Sequence, residues 1–140
     1  MKTIRFDPVR NGVYAAPAEP APLRAAADTA QLAWRTLALD GVGDKAAFLA
    51  RCAQALRLPA HFGANWDALA DCLGDDAWLA PAGMIVDWRE GGAFSRAAPA
   101  DCATALEIFA GAATYWKTHH RVFVVLVDGG GAQALPPWPR

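Results

Sequence analysis

The feature that most constrains the fold of this chain is the run VFVVLV at Val122–Val127, in which every residue is apolar and four are valine. A strand with one face in water alternates apolar and polar residues, and this run does not alternate. It is also far too short to cross a bilayer. The run therefore predicts a strand that is covered on both faces, as in a parallel sheet flanked by helices.

Two further segments have the pattern of strands, and helical patterns lie between them. Residues 34–39 (WRTLAL) alternate, and residues 84–88 (MIVDW) form a short apolar run. Asp44 and Asn65 are candidate N-caps for two helices between these strands, and Pro99 opens a longer helix before the final strand. Strands that alternate with helices predict an α/β fold with a small three-stranded parallel sheet and helices packed on it.

The two ends of the chain differ from this central part. Residues 15–27 are rich in Ala and Pro and poor in bulky side chains, which predicts a linker or a loosely packed extension. The last twelve residues begin with three glycines and end in PPWPR, which predicts a flexible tail. We therefore expect an N-terminal extension at residues 1–30, one domain at residues 31–128 and a tail at residues 129–140.

Composition narrows the possible functions. Hydrophobic residues make up 54% of the chain and charged residues 19%, with a net charge of −1, which indicates a packed globular domain and disfavours nucleic-acid binding. The three cysteines lack a C-x-x-C spacing, so we expect free thiols in a reducing compartment, with no metal site and no cofactor. No signal-peptide or membrane-spanning pattern is visible, so we expect a cytoplasmic protein that does not bind membranes.

The most informative stretch is residues 61–73, HFGANWDALADCL. On a helix, Asp67 and Asp71 lie within about 40° of each other on one face, while the large apolar side chains lie on the opposite face. Residues 58–88 contain five aspartates and no Lys or Arg. This pattern is more typical of a solvated acidic face, and it is also compatible with a surface that attracts a basic partner.

The same stretch resembles the central motif of the barstar family, G-x-N-x-D-A-L-x-D-C-L. The residues that carry the resemblance are Gly63, Asn65, Asp67, Ala68, Leu69, Asp71, Cys72 and Leu73. Leu58-Pro59 before the motif, Asp87-Trp88-Arg89 after the middle strand and the closing apolar strand are also similar to the family. The resemblance covers about residues 34–128, so a barstar-like fold is expected.

The resemblance implies a monomeric inhibitor, not an enzyme, whose partner is a small basic ribonuclease or ribonuclease-like toxin. Asp71 would be its principal contact, with a carboxylate that replaces an RNA phosphate among the cations of the active site, and Asp67 a second contact. The other interface positions that it implies are His61, Gly63, Asn65 and Trp66. Such a protein acts stoichiometrically, as an antitoxin or immunity protein, and needs no cofactor.

Several positions depart from the pattern of the family's founding member, and three of them bear on the expected interface. His61 stands in place of a tyrosine, Ala70 in place of a tryptophan, and Gly111 in place of an acidic residue on the last helix. These changes keep the two aspartates and alter the rim of the expected interface. We therefore expect a partner other than barnase.

Other interpretations start from the same residues. One is an acidic binding module for a basic partner that is not a nuclease. Another is an enzyme that uses Asp67, Asp71 and His61 for acid–base chemistry, which is less favoured because a helix face is convex and such sites need a pocket. Adjacent His119 and His120 point in different directions, which is more typical of a helix end than of a metal pair.

Overall fold

The computed structural model describes residues 4–60, 62–128 and 135–138 of the chain. Its strands are β1 (Gly12–Ala15), β2 (Ala33–Ala38), β3 (Gly83–Arg89) and β4 (Val122–Val127). Its helices are α1 (Ala21–Thr29), α2 (Lys45–Ala55), α3 (Trp66–Leu73), α4 (Gly92–Ala97) and α5 (Pro99–Thr118), and a 3-10 turn at Pro8–Arg10 precedes β1.

The four strands within the described residues are all parallel and follow the order β1-β4-β3-β2. The predicted α/β class, with a parallel sheet and helices packed on it, is therefore confirmed, but the predicted number of three strands is wrong. The additional strand is β1, which pairs with β4 in the register Gly12↔Val124. Its four residues are too few for a recognisable pattern, and its partner lies near the other end of the chain.

Alternate residues of β4 face two separate hydrophobic cores, which explains why the whole strand is apolar. One set, which includes Phe123 and Val125, packs with residues of α2, α3 and α5 on what we term the α3 face of the sheet. The other set, which includes Val124 and Leu126, packs with residues of α1 on the α1 face. The prediction that this strand is covered on both faces is confirmed.

Residues 15–27 are not the loosely packed segment that their composition predicts. Residues 21–27 belong to α1, in which Leu23 and Ala27 are buried against the sheet. Proline in the first turn of a helix loses no hydrogen bond and alanine is the best helix former, so this composition is compatible with a short helix. The division of the chain at residues 30 and 128 stays a prediction.

The predicted tail at residues 129–140 is described only at residues 135–138. There the Ala15 amide donates a hydrogen bond to the Pro136 carbonyl at 2.8 Å. The Trp138 ring meets the Tyr14 ring edge-on, with centroids 5.1 Å apart. This part of the tail therefore packs along the outer edge of β1, and the remainder lies outside the described residues.

The cysteines are free and buried, as the sequence predicts. Within the described ranges, no group of three or more His, Cys, Asp or Glu side chains is arranged to hold a metal ion. None of the helices in the same ranges combines the length and the apolar composition that a bilayer crossing requires.

Candidate functional site

Helix α3 begins where the sequence predicts, because Asn65 caps it. The Asn65 Oδ1 atom accepts a hydrogen bond from the Ala68 amide at 2.7 Å, which satisfies one of the free amides of the first turn. Ala64, directly before the cap, has a φ of +53°, in the left-handed region. Gly74 follows the last helical residue, Leu73, which confirms the predicted end of the helix.

The inner face of α3 is anchored along its length. Leu69 and Leu73 are fully buried. At the start of the helix the Trp66 ring packs against Phe48, with centroids 5.9 Å apart. At its end the Trp116 Nε1 atom donates a hydrogen bond to the Leu73 carbonyl at 2.8 Å. These contacts hold the helix in one orientation on the α3 face of the sheet.

The outer face of α3 presents the two aspartates of the motif. Both Asp67 and Asp71 are exposed, and neither has an ion-pair partner among the described residues. Like charges one turn apart cost an isolated helix a few tenths of a kcal/mol. Asp67 lies in the first turn, where the positive end of the helix dipole offsets part of that cost. The two carboxylates are therefore available to a partner.

The other three aspartates of residues 58–88 differ from one another in their environment. Asp76 pairs with Arg121, which lies far along the chain. Asp87 is buried and pairs with the Arg89 Nε atom at 2.7 Å. Asp75 follows Gly74, the C-cap residue of α3, and its Oδ1 atom accepts a hydrogen bond from the Ala77 amide. We therefore define the acidic surface as Asp67, Asp71 and Asp75, and not as all five aspartates.

The effect of this charge is visible at the one thiol of α3. Burial raises the pKa of Cys72, and the negative charges of Asp75 and Asp71 raise it further. Both aspartates thus disfavour a nearby thiolate, which is the behaviour expected of a local negative field.

The other residues that the resemblance implies lie before α3 in the sequence or at its first position. Gly63 and Asn65 are exposed, whereas Trp66 is half-buried and the Lys45 Nζ atom lies 5.4 Å from the centroid of its ring. Trp66 therefore has an evident packing role, and its contact with a partner stays a prediction. His61 lies outside the described residues.

Arg121 stabilises the segment after α3, and sequence reasoning missed it. Its Nη2 atom donates to the carbonyls of Leu79 at 2.5 Å and Ala80 at 3.0 Å, and its guanidinium lies 4.7 Å from the centroid of the Trp116 ring. Nothing in the sequence marks this arginine, because its partners are distant along the chain. His119 is the C-cap residue of α5, which confirms the interpretation of the adjacent histidines as a helix end.

Comparison with known proteins agrees with this geometry. The family model Barstar (barnase inhibitor) matches residues 32–128, which is more than half of the chain. The chain belongs to the barstar family. The match includes the whole of α3 and the acidic surface, whereas β1 and α1 precede it. A search of the curated proteins finds no match.

In this barstar-family protein, α3 presents an exposed acidic face that a partner protein can contact. The carboxylates of Asp67 and Asp71 project from an exposed helix face, and the inner face is fixed by packing. A partner with a concave cationic surface can surround such a helix, and each carboxylate can then accept charge-assisted hydrogen bonds.

Proposed function

We propose that this protein inhibits a ribonuclease by placing Asp71 and Asp67 of α3 among the cationic groups of the enzyme's active site. Membership of the barstar family implies a function of the ribonuclease-inhibitor type. The observation that carries the finer proposal is the pair of exposed aspartates, without ion-pair partners among the described residues, on a helix whose other face is anchored.

The mechanism is electrostatic imitation of RNA. The Asp71 carboxylate takes the position of a phosphate and accepts hydrogen bonds from Arg, Lys or His side chains of the enzyme, and Asp67 supplies a second contact. We expect further contacts at the rim from His61, Gly63 and Asn65, which precede the helix in the sequence, and from Trp66, its first residue. Inhibition is stoichiometric and reversible, requires no cofactor, and ends when the complex dissociates.

The cellular setting follows from the same chemistry. Family members are inhibitors, which supports a protein that is not itself an enzyme. Three free, buried thiols fit a reducing compartment, so we propose a cytoplasmic monomer that protects the cell from its own ribonuclease or from a neighbour's toxin. The partner is a small basic ribonuclease, because the acidic surface favours the approach of a positively charged protein.

Substitution of Asp71 tests the proposal. We expect the purified protein to inhibit at least one of barnase and a set of other small basic ribonucleases. Asp71→Ala should weaken that inhibition by about 3 kcal/mol or more, because the enzyme's cations lose their partner in a desolvated site. The measurement is the inhibition constant with an RNA substrate, with thermal unfolding as a check on the fold.

Asp28→Ala is the matched control, because Asp28 is an exposed aspartate on α1, which packs on the opposite face of the sheet. It should leave inhibition unchanged. Failure to inhibit any ribonuclease, combined with tight binding to a basic protein that is not a nuclease, would favour the alternative of a general acidic binding module.

A further inference from the structure

The two outer edges of the sheet differ in what covers them. At the β1 edge, residues 135–138 of the chain itself run parallel to the strand. The Ala15 amide donates to the Pro136 carbonyl at 2.8 Å, and the Trp138 amide donates to the Ala15 carbonyl at 3.3 Å. At the other edge β2 is the last strand, and no described segment pairs with its outer side. The β2 edge is therefore open to the addition of a strand.

The alternation of β2 identifies its free backbone groups. The Leu39 amide, directly after the strand, donates to the Arg89 carbonyl of β3 at 2.8 Å. Every second residue counted back from Leu39 therefore bonds to β3, and Trp34, Thr36 and Ala38 direct their amide and carbonyl groups outward. Among the described residues, nothing bonds to the amide or the carbonyl of Trp34 and Thr36.

Two cations lie beside this edge on the α3 face. Arg35 points to that face, because Leu37, two residues later in β2, belongs to its core. Burial lowers the pKa of the Arg35 guanidinium, and the positive charge of Arg57 lowers it further, which places the two cations close to each other. Neither has an ion-pair partner among the described residues. We term the outer side of β2 together with Arg35 and Arg57 the basic edge.

Other cations around β2 have acidic neighbours. Beyond the C-terminal end of the strand, the Arg51 Nη1 atom lies 3.5 Å from the Asp40 Oδ1 atom. On the α1 face, Arg24 and Asp28 lie one turn apart on the same helix. The charge is therefore balanced at these two places, and the net positive charge near β2 is concentrated at the basic edge.

The chemistry of the basic edge selects an extended acidic peptide. Free amides and carbonyls of an edge strand bind a further strand through main-chain hydrogen bonds. The Arg35 Nε atom is buried without a hydrogen-bond partner among the described residues, so its guanidinium can bind an external carboxylate through its Nη atoms. Because side chains alternate along a strand, the carboxylates of the added strand would occupy every second position.

Other occupants fit the basic edge less well. A second copy of β2 would place arginines against arginines, and like charges on neighbouring strands are destabilising. Nucleic acids are bound mainly through phosphate contacts, which make no use of the free amides and carbonyls at Trp34 and Thr36.

We propose that the outer edge of β2 binds an extended acidic segment of a partner protein as an additional strand, with Asp or Glu side chains at alternate positions that pair with Arg35 and Arg57. This partner is opposite in charge to a basic ribonuclease. The inference does not depend on the proposed function.

The first experiment selects random dodecapeptides displayed on phage against the immobilised full-length protein. We expect the enriched peptides to carry Asp or Glu at every second position, with β-branched residues between them. A synthetic, fluorescein-labelled copy of an enriched peptide then gives Kd by fluorescence anisotropy. In amide hydrogen exchange, the peptide should slow the exchange of the Thr36 amide. A selection that yields no enriched peptide, or peptides without alternating acids, would overturn the proposal.

The second experiment removes the backbone donor. Thr36→Pro deletes an amide that faces outward, so it costs no hydrogen bond to β3, and proline is tolerated at such edge positions. It should raise Kd for the selected peptide roughly 10-fold or more. Thr36→Ala is the matched control, because it removes the same side chain and keeps the amide, and it should leave Kd within about twofold. Equal binding by the two variants would overturn strand addition.

The third experiment removes the charge and does not depend on the stability of a proline variant. Arg35→Gln combined with Arg57→Gln should raise Kd roughly 10-fold and abolish most of its dependence on salt. Arg10→Gln is the control, because Arg10 is an exposed arginine in the turn that precedes β1, at the other edge of the sheet. Thermal unfolding checks the fold of each variant.

A single-stranded oligouridylate of the same length is the competing ligand. Tighter binding of this RNA than of any selected peptide, with the same loss in the double arginine variant, would identify a nucleic-acid surface and overturn the proposal. Unchanged peptide binding in the double arginine variant would also overturn it, because the arginines would then serve only to keep the edge strand from pairing with other chains.

Discussion

The helices on the two faces of the sheet bury similar apolar residues but expose different chemistry. On one face, α3 buries Leu69 and Leu73 and exposes two aspartates, one turn apart. On the other face, α1 buries Leu23 and exposes one charge of each sign, Arg24 and Asp28. Both helices therefore stabilise the fold by burying apolar side chains against the sheet. Of the two, only α3 concentrates charge of a single sign. We infer that α1 is structural and that α3 both stabilises and binds.

The largest predicted effect is the loss of stability caused by a matched pair of core substitutions, one on each helix. Leu23→Ala and Leu69→Ala each remove a buried leucine, so each should lower the free energy of unfolding by about 3 kcal/mol. Only Leu69→Ala loosens the helix that presents the aspartates, so only it should also weaken inhibition of the ribonuclease. Urea unfolding and the inhibition constant measure the two effects, and equal losses of inhibition in both variants would contradict the division of roles.

Alkaline pH should lower the free energy of unfolding, because the Cys52 thiol is buried in the core on the α3 face. Burial raises the pKa of the Cys52 thiol far above its ordinary value of 9.0. The unfolded chain therefore ionises first, so the stabilising contribution is complete below pH 9 and is lost as the pH rises further. We expect a decrease of up to about 1.4 kcal/mol per pH unit above 9 in the free energy of unfolding.

The comparison with Cys52→Ala isolates this thiol from the other groups that titrate at high pH. The variant should show a shallower decrease between pH 9 and pH 10 in urea unfolding. No cysteine is among the described residues of the α1 core. An identical pH dependence in both proteins would show that Cys52 does not stay neutral in the folded state.

The smallest predicted effect concerns two backbone positions, one beside each helix. Ala64 before α3 and Gln31 after α1 have φ angles of +53° and +61°. Glycine adopts this region without the steric cost that other residues incur, although it also makes the unfolded chain more flexible. Ala64→Gly and Gln31→Gly should each raise the free energy of unfolding by about 0.5 kcal/mol. A clear decrease in either variant would contradict the inferred strain.

The α3 side of the molecule was predicted well from the sequence, because the patterns that mark its helix and strand involve residues close together in the chain. The cap at Asn65, the helix end at Gly74 and the apolar strand β4 each depend on residues within a few positions of one another. The aspartates were also found locally, through their spacing along one helix. Family resemblance and helical geometry pointed to the same face.

The α1 side and the charge pairing were not predicted, because they depend on contacts between distant parts of the chain. Strand β1 forms by pairing with β4, and α1 packs under a sheet that exists only after the later strands assemble. The pairing of Arg121 with Asp76 removes one of the five aspartates from the negative field. A count of charges along the sequence could not reveal this pairing, because the two residues are far apart in the chain.

The most direct test of the central claim is neutralisation of both aspartates without a change of shape. Asp67→Asn combined with Asp71→Asn keeps the size of each side chain and removes both negative charges. The account predicts that this variant unfolds at the same temperature as the unchanged protein but no longer inhibits its ribonuclease. Undiminished inhibition by the double variant would contradict it.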